Sequence, residues 1–202
     1  MTIVIIIINV ILSIICFQNR ELFYKLSFNP YSINRSANQY YRIVTHSFIH
    51  ADWVHLGINM FVLWSFGDAL ENYYSAVMGQ NAALYLGLLY FGAMFVSCMP
   101  SWIKHRDDPT YNSVGASGCV SAVVFASIIF SPMSKVMLFP IPMGIPAFLF
   151  AILYLAYSFY MTKRGQDHVA HDAHIAGAVY GIVLTIAFEP RLVNFFMEQI
   201  KL

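Results

Sequence analysis

Six long apolar runs alternate with shorter polar segments along the chain. The runs are continuous and lack the every-second-residue alternation of a membrane β-strand, so they predict helices. A helix needs about 20 mostly apolar residues to cross a bilayer, and it satisfies its own backbone hydrogen bonds there. The pattern therefore predicts six transmembrane helices, at about residues 2–17, 53–72, 81–99, 114–131, 146–162 and 172–189.

The composition fits a protein that lies almost entirely in lipid. Of 202 residues, 59% are hydrophobic and 10% are charged, whereas about 25% are charged in a soluble domain. Six helices use most of this length, so we expect one all-α membrane domain over residues 1–202 and no soluble domain. The net charge of +1 gives no indication of nucleic-acid binding. Three cysteines, all within or beside apolar runs, argue against a disulfide framework.

Polar residues that could carry chemistry lie at the start of the even-numbered runs. Ser117 begins the fourth run, His174 begins the sixth, and His55 and Asn59 lie near the start of the second. Successive membrane helices alternate in direction, so the starts of the second, fourth and sixth helices lie on the same side. We therefore expect these four side chains at a similar depth in one leaflet.

A serine and a histidine together suggest acyl-transfer chemistry. A serine hydroxyl needs a base to accept its proton when it attacks a carbonyl carbon, and a histidine is costly in lipid unless it faces a polar cavity. Small residues at helical spacing would let the fourth and sixth helices approach closely and bring Ser117 opposite His174. The residues on these two faces are Gly115, Gly118 and Ala122 in the fourth run, and His174, Gly177 and Gly181 in the sixth.

His55 and Asn59 are four residues apart, so they share one face of a helix. Both side chains can donate hydrogen bonds, as a developing oxyanion requires. The backbone N–H of Ser117, at the start of a helix, is a third candidate donor. Hydrogen bonding between helices is the simpler interpretation of this pair if it is taken alone.

Three further histidines, together with His174, leave a metal site as an alternative. Asp172 is two residues from His174 and lies on another helical face, so we predict a Ser–His dyad without a carboxylate. We predict that Arg42 anchors the first loop and does not hold substrate. The histidines that could bind a metal are His46 and His50, at i, i+4 spacing, together with His171 and His174.

These motifs together resemble the rhomboid family of intramembrane serine proteases. The resemblance extends over about residues 41–181, within an expected domain core of about residues 41–189. It implies a six-helix bundle with Ser117 as nucleophile and His174 as general base, then acid. It also implies His55, Asn59 and the Ser117 amide as oxyanion donors, and no metal or cofactor. The motifs are Tyr41-Arg42, His46 and His50, His55-x-x-x-Asn59, Gly115-Ala116-Ser117-Gly118, and Ala173-His174-x-x-Gly177.

The resemblance also implies partners and a location. Family substrates are single-span membrane proteins, cut near a small residue where their helix unwinds easily, and the lipid bilayer is the other partner. A multi-pass protein of a bacterial inner membrane is expected, with an organellar membrane as the alternative. A non-catalytic rhomboid-like protein that binds client helices is the rival function, and a metal-dependent protease, a transporter or a channel is a weaker one.

Two positions depart from the family pattern. Tyr41 stands where the family has a tryptophan before the arginine, and Ser121 stands where many relatives have an aromatic ring that stacks on the catalytic histidine. We therefore expect other contacts, from Tyr180 or His171, to orient His174.

Orientation in the membrane is left open by the sequence. Eight Lys and Arg residues lie in loops on the predicted active-site side and three on the other, so the positive-inside rule would turn the site to the cytoplasm. The family habit is the opposite. The eight are Arg20, Lys25, Arg35, Arg42, Lys104, Arg106, Lys163 and Arg164, and the three are Lys135, Arg191 and Lys201.

Overall fold

The computed structural model describes residues 1–137, 144–164 and 170–201, and these residues are mostly helical. A two-stranded antiparallel ribbon pairs β1 (Lys135–Met137) with β2 (Gly144–Pro146). The α-helices are α1 (Thr2–Gln18), α2 (Arg20–Leu26), α3 (Pro30–Arg35), α4 (Arg42–Thr45), α5 (Trp53–Met78), α6 (Ala82–His105), α7 (Ser117–Phe130), α8 (Ala147–Arg164), α9 (His171–Phe188) and α10 (Leu192–Gln199).

Each of the six apolar runs corresponds to one long helix, namely α1, α5, α6, α7, α8 and α9. By length and composition, two helical stretches qualify as membrane spans, Trp53–His105 and His171–Phe188. The first contains 53 residues and consists of α5 and α6 joined by a short 3₁₀ turn. At about 1.5 Å per residue it is more than twice as long as the hydrocarbon core is thick, so its length would suffice for two crossings.

The outer helices expose apolar side chains that only a lipid environment accommodates without cost. On α1, Ile3 is 55% exposed and Val4 is 59% exposed, and on α5 Phe61 is 65% exposed. Exposed apolar area on this scale is rare in soluble monomers. The surface therefore supports the membrane protein that the composition predicts.

Helix α7 lies at the centre of the molecule. Every residue from Gly118 to Phe130 is buried, as expected for a helix that is apolar on all sides. It packs against α5, α6 and α9. The central position fixes Ser117, the first residue of α7, relative to three surrounding helices.

The loop between α1 and α5 contains the short helices α2, α3 and α4. Arg42 stabilises this loop by donating from Nη1 to the carbonyl oxygens of Tyr24 and Ser27, both at 2.7 Å, and from Nε to Oε1 of Gln39 at 2.6 Å. The prediction that Arg42 is a structural anchor is confirmed by these hydrogen bonds.

Candidate active site

One cavity of about 1240 Å³ opens where α5, α7 and α9 begin. Its walls include Ser117, His174, His55 and Asn59. The three helices therefore do begin on the same side, and the structure brings together the four side chains that the sequence selected.

Ser117 is half-buried at the first position of α7, directly after the N-cap residue Ala116. The N–H groups in the first turn of a helix have no carbonyl partner within that helix, and the helix dipole adds partial positive charge there. The hydroxyl and the N–H of Ser117 therefore lie beside a region that favours negative charge.

His174 lies in the first turn of α9, among aromatic neighbours. Its ring centroid is 5.8 Å from that of His171, at 75°, and 6.2 Å from that of Tyr154, at 22°. Asp172 makes its hydrogen bonds elsewhere, with Ser101 Oγ at 3.4 Å and with the backbone N–H of Ala173 at 2.8 Å. Asp172 thus accepts hydrogen bonds from a serine of α6 and from the backbone of its own helix.

Tyr180, one of the two residues predicted to orient His174, belongs to a different contact. Its hydroxyl donates to the carbonyl oxygen of Leu88 at 3.0 Å, and its ring lies against Gly92 on α6. The prediction for Tyr180 was wrong because this side chain points from α9 towards α6. His171 does contact the His174 ring, and Tyr154, which the sequence did not single out, supplies the parallel contact.

The ring of His55 lies directly against Gly115. A Cβ atom added to Gly115 would be 2.6 Å from Cε1 and 2.8 Å from Nε2 of His55, and the backbone of Gly115 has φ +123°. Only glycine is comfortable at that angle. The prediction that Gly115 packs α7 against α9 was therefore wrong. Gly115 precedes α7, and its lack of a side chain leaves space for the His55 ring beside Ser117.

Asn59 is buried one turn after His55 and contributes to the same wall of the cavity. Its side-chain nitrogen donates to the backbone carbonyl of His55 at 2.9 Å. An amide nitrogen carries two hydrogens, so this bond fixes the side chain and leaves a second N–H for another acceptor.

The predicted close packing of α7 against α9 is present at the other three glycines. An added Cβ atom on Gly177 would overlap the carbonyl oxygen of Gly118, and one on Gly181 would lie 2.8 Å from Cα of Ala122. On its other side, Gly118 lies against Ser97 of α6, whose Cβ would be 2.5 Å from an added Cβ. Glycine at these positions lets two helix backbones touch.

His50 is fully buried behind the segment that leads to Ser117. It holds that segment through hydrogen bonds that the sequence did not reveal. Its Nδ1 lies 3.0 Å from Ser13 Oγ of α1, and its Nε2 accepts from the N–H of Ala116 at 3.4 Å. Because Nε2 is the acceptor, the proton belongs on Nδ1. Burial lowers the pKa of His50 to about 3, so the ring is neutral. The only feature of the sequence that pointed to His50 was its i, i+4 spacing to His46. That spacing is also compatible with a metal site.

His46 is also occupied by structural hydrogen bonds. Its carbonyl oxygen accepts from the N–H of Gly115 at 2.9 Å, and its Nδ1 lies 2.9 Å from the carbonyl oxygen of Arg42. Burial lowers its pKa to about 4. Within the described ranges, no three His, Cys, Asp or Glu side chains are grouped so that they could hold a metal ion.

The first loop also holds the segment that leads to Ser117. Phe28 and Ser113 exchange two backbone hydrogen bonds, at 2.9 and 3.0 Å. Asn29 donates from Nδ2 to the carbonyl oxygen of Tyr111 at 2.9 Å. This support depends on contacts more than 80 residues apart in the chain, and no local sequence pattern indicates it.

Comparisons with known proteins agree with this architecture. The family model described as "Rhomboid domain" matches residues 37–191. Rhomboid protein 1, mitochondrial, of Saccharomyces cerevisiae is 30% identical over 153 residues, which is 74% of this chain and 43% of the relative. Rhomboid-like protein 11, chloroplastic, of Arabidopsis thaliana is 31% identical over 160 residues, 72% of this chain and 51% of the relative.

Presenilin-associated rhomboid-like protein, mitochondrial, of Homo sapiens is 27% identical over 147 residues, 67% of this chain and 35% of the relative. The chain thus spans about half or less of the length of these relatives. The matched domain nevertheless covers most of the chain and contains the four candidate site residues, Ser117, His174, His55 and Asn59. The chain belongs to the rhomboid family.

Proposed function

We propose that this chain is an intramembrane serine endopeptidase that cuts single-span membrane proteins within or near their transmembrane helix. The observation that carries the proposal is the cavity shared by Ser117 and His174, with His55 and Asn59 in the same wall. A nucleophile, a base and two hydrogen-bond donors in one concave site are the parts that peptide-bond hydrolysis needs.

In the proposed mechanism, Ser117 Oγ attacks the scissile carbonyl carbon while His174 accepts the hydroxyl proton. His174 then gives that proton to the leaving amine, and the acyl-enzyme forms. Water enters the cavity and attacks the acyl carbon while His174 takes its proton, and His174 then returns that proton to Ser117 Oγ as the bond between Oγ and the acyl carbon breaks and the second product leaves. The backbone N–H of Ser117 and the side chains of His55 and Asn59 stabilise both tetrahedral oxyanions.

The membrane setting explains the proposed substrate class. The six long helices are proposed to cross the bilayer, with the cavity near one face, so a peptide bond must reach Ser117 from the lipid or its surface. A substrate helix has its backbone bonds satisfied internally and must unwind before a carbonyl is open to attack. Single-span proteins whose helices unwind easily are the class that meets this requirement.

The membrane in which the protein resides is indicated by its relatives. The printed names of the relatives assign them to mitochondria and chloroplasts, which favours an organellar membrane. The bacterial inner membrane stays a prediction, as does the direction in which the cavity faces.

The second candidate is a non-catalytic rhomboid-like protein that binds client helices. The combination of Ser117 with His174 disfavours it, because a binding protein has no need of a nucleophile and base beside oxyanion donors.

The test of the proposed function is cleavage of a single-span substrate by the purified chain in detergent, comparing wild type with Ser117→Ala and with Ser127→Ala. Ser127 is buried on the same helix and outside the cavity wall, so it controls for loss of a buried hydroxyl.

We expect cleavage by wild type and Ser127→Ala, and none by Ser117→Ala at unchanged melting temperature. Labelling of wild type, but not of Ser117→Ala, by a fluorophosphonate would identify the reactive hydroxyl independently of substrate choice. Wild type that neither cleaves nor reacts, yet still binds the substrate helix, would establish the non-catalytic function instead.

A further inference from the structure

Tyr154 of α8 reaches across the cavity to His174 of α9. The two rings are inclined by only 22°, with centroids 6.2 Å apart, within the range of offset-stacked aromatic pairs. Helix α7, which carries Ser117, contributes no ring to this contact at the position one turn after the serine, because that residue is Ser121.

Ser121 holds the far end of the same tyrosine. Its Oγ is 3.0 Å from the Tyr154 hydroxyl, and the Ser121 side chain is 5% exposed. A small residue at 121 leaves space for a ring that enters from the neighbouring helix. A serine can in addition hydrogen-bond the phenol, which an alanine in the same space could not do.

Two further rings restrict Tyr154 from the sides. The centroid of Phe125 on α7 is 5.7 Å away at 52°, and that of Phe150 on α8 is 5.8 Å away at 37°. Tyr154 is therefore fixed by a hydrogen bond at its hydroxyl and by aromatic contacts along its ring. A side chain fixed in this way is suited to orient another.

We propose that Tyr154 is the positioning residue of His174, and that Ser121 holds Tyr154 in place. The inference rests on the proposed function and deepens it: the ring that orients the catalytic base comes from α8 in this chain, and not from α7. The carboxylate of Asp172 accepts hydrogen bonds from Ser101 Oγ and from the N–H of Ala173, whereas the Tyr154 ring stacks on the His174 ring and restricts its rotation.

Stacking also acts on the charged form of the base. When His174 accepts the proton of Ser117, the imidazolium lies against the face of an electron-rich phenol ring, which stabilises a cation. Tyr154 is half-buried in the cavity wall, and this contact corresponds to roughly a 10- to 30-fold effect on rate. Its effect belongs to the chemical step and not to substrate binding.

The test compares two substitutions of Tyr154 with a control on the same helix. Tyr154→Leu removes the ring, Tyr154→Phe keeps the ring and loses the hydroxyl, and Tyr160→Leu removes an exposed tyrosine of α8 that lies outside the cavity wall. For each we measure kcat and KM with a single-span substrate, the rate of Ser117 labelling by a fluorophosphonate, and the melting temperature.

We expect Tyr154→Leu to lower kcat and the labelling rate about 10- to 30-fold with KM nearly unchanged. Tyr154→Phe should stay within about fivefold of wild type, because it loses one neutral hydrogen bond. Ser121→Ala should match Tyr154→Phe, and the double variant should be no worse than either, since both remove the same bond. Tyr160→Leu should match wild type.

A reciprocal exchange covers the case in which Tyr154→Leu does not fold. Tyr154→Ser alone should be slow, and Ser121→Tyr combined with Tyr154→Ser should recover much of the lost rate by supplying the ring from α7. Folded Tyr154→Leu with kcat and labelling near wild type, or no recovery by a folded exchange variant, would overturn the inference and leave the protease intact. Wild type without cleavage or labelling would instead overturn the proposed function, and this inference with it.

Discussion

Gly177 on α9 lies directly against the carbonyl oxygen of Gly118 on α7, so that a single added carbon on Gly177 would overlap it. One turn further along, Gly181 bears the same relation to Ala122. Gly118 follows Ser117, and Gly177 lies one turn after His174. The distance between the two proposed catalytic residues is thus set by a contact between helix backbones, which cannot adjust as a flexible side chain would.

Replacing Gly177 by Leu should therefore disrupt stability and activity together. The neighbour that must yield is a backbone carbonyl, so we expect the cost to reach or exceed the about 1–3 kcal/mol typical of overpacking. Gly57→Leu is the matched control, because Gly57 is also helical and an added Cβ there meets nothing within 4 Å. Melting temperature and cleavage are measured for both. Equal tolerance of the two variants would show that α7 and α9 do not touch at Gly177.

Ser117→Ala and His174→Ala should each abolish nearly all cleavage, and the double variant should be no slower than either. The reason is that nucleophile and base act as a unit, so the second loss removes nothing that the first has left. Residual rates of the three variants are measured with a single-span substrate in detergent. Multiplicative losses in the double variant would indicate two independent contributions and contradict the dyad.

His55→Ala and Asn59→Ala should leave measurable activity. Loss of one oxyanion donor typically lowers kcat about 10²–10³-fold, and KM should change less, because the oxyanion exists only after attack. Asn72→Ala is the control, since Asn72 is exposed on the same helix and lies outside the cavity wall. If turnover survives intact in both cavity variants, these residues serve helix packing and the oxyanion donors lie elsewhere.

The sequence correctly predicted which segments form the helices and which residues line the cavity. It predicted the local backbone geometry around those residues less well. Apolar runs and the alternation of helix direction are global constraints, so they located α5, α7 and α9 and brought Ser117, His174, His55 and Asn59 to one side. Gly115 was misjudged because helical spacing was extended through the N-cap, whereas α7 begins only at Ser117. A spacing rule has no means of recognising a positive φ angle.

The contacts that orient the site are long-range and carried no signal in a single sequence. Tyr154 is one of several aromatic residues in an apolar helix, and only the rotation of α8 selects it to face His174. His50 likewise gains its role from a contact with Ser13, 37 positions away. Packing geometry of this kind depends on the whole bundle and cannot be read from spacing within one element.

Gly115→Ala should damage activity more than its backbone strain alone explains. An alanine at φ +123° costs about 1–3 kcal/mol, and its Cβ would also displace the His55 ring from beside Ser117. Gly79→Ala isolates the strain, because Gly79 has φ +58° and an added Cβ there meets nothing within 4 Å. We expect both variants to lose melting temperature and only Gly115→Ala to lose kcat. Unchanged kcat in a folded Gly115→Ala protein would show that the position of His55 is not critical.

The buried imidazole of His50 should make stability depend on pH. Burial, assisted by repulsion from His55 and opposed by Asp52, lowers the pKa of His50 from 6.5 to about 3. Between about pH 6.5 and about pH 3, the unfolded chain therefore binds a proton on His50 that the folded chain does not bind. Stability is complete above about pH 6.5 and falls as the pH drops from there towards 3. Melting temperatures of wild type and His50→Gln are compared between about pH 7 and about pH 4.5, within that window.

The glutamine cannot titrate in this window, while its side-chain oxygen can still accept from the N–H of Ala116. We expect His50→Gln to be less stable at neutral pH and to lose less melting temperature on acidification. His46, whose pKa is lowered to about 4 by burial, is present in both proteins, so its contribution cancels in the comparison. Parallel melting curves across the pH range would mean that His50 is hydrated or charged in the folded protein, and that it does not hold the Ala116 amide as a neutral acceptor.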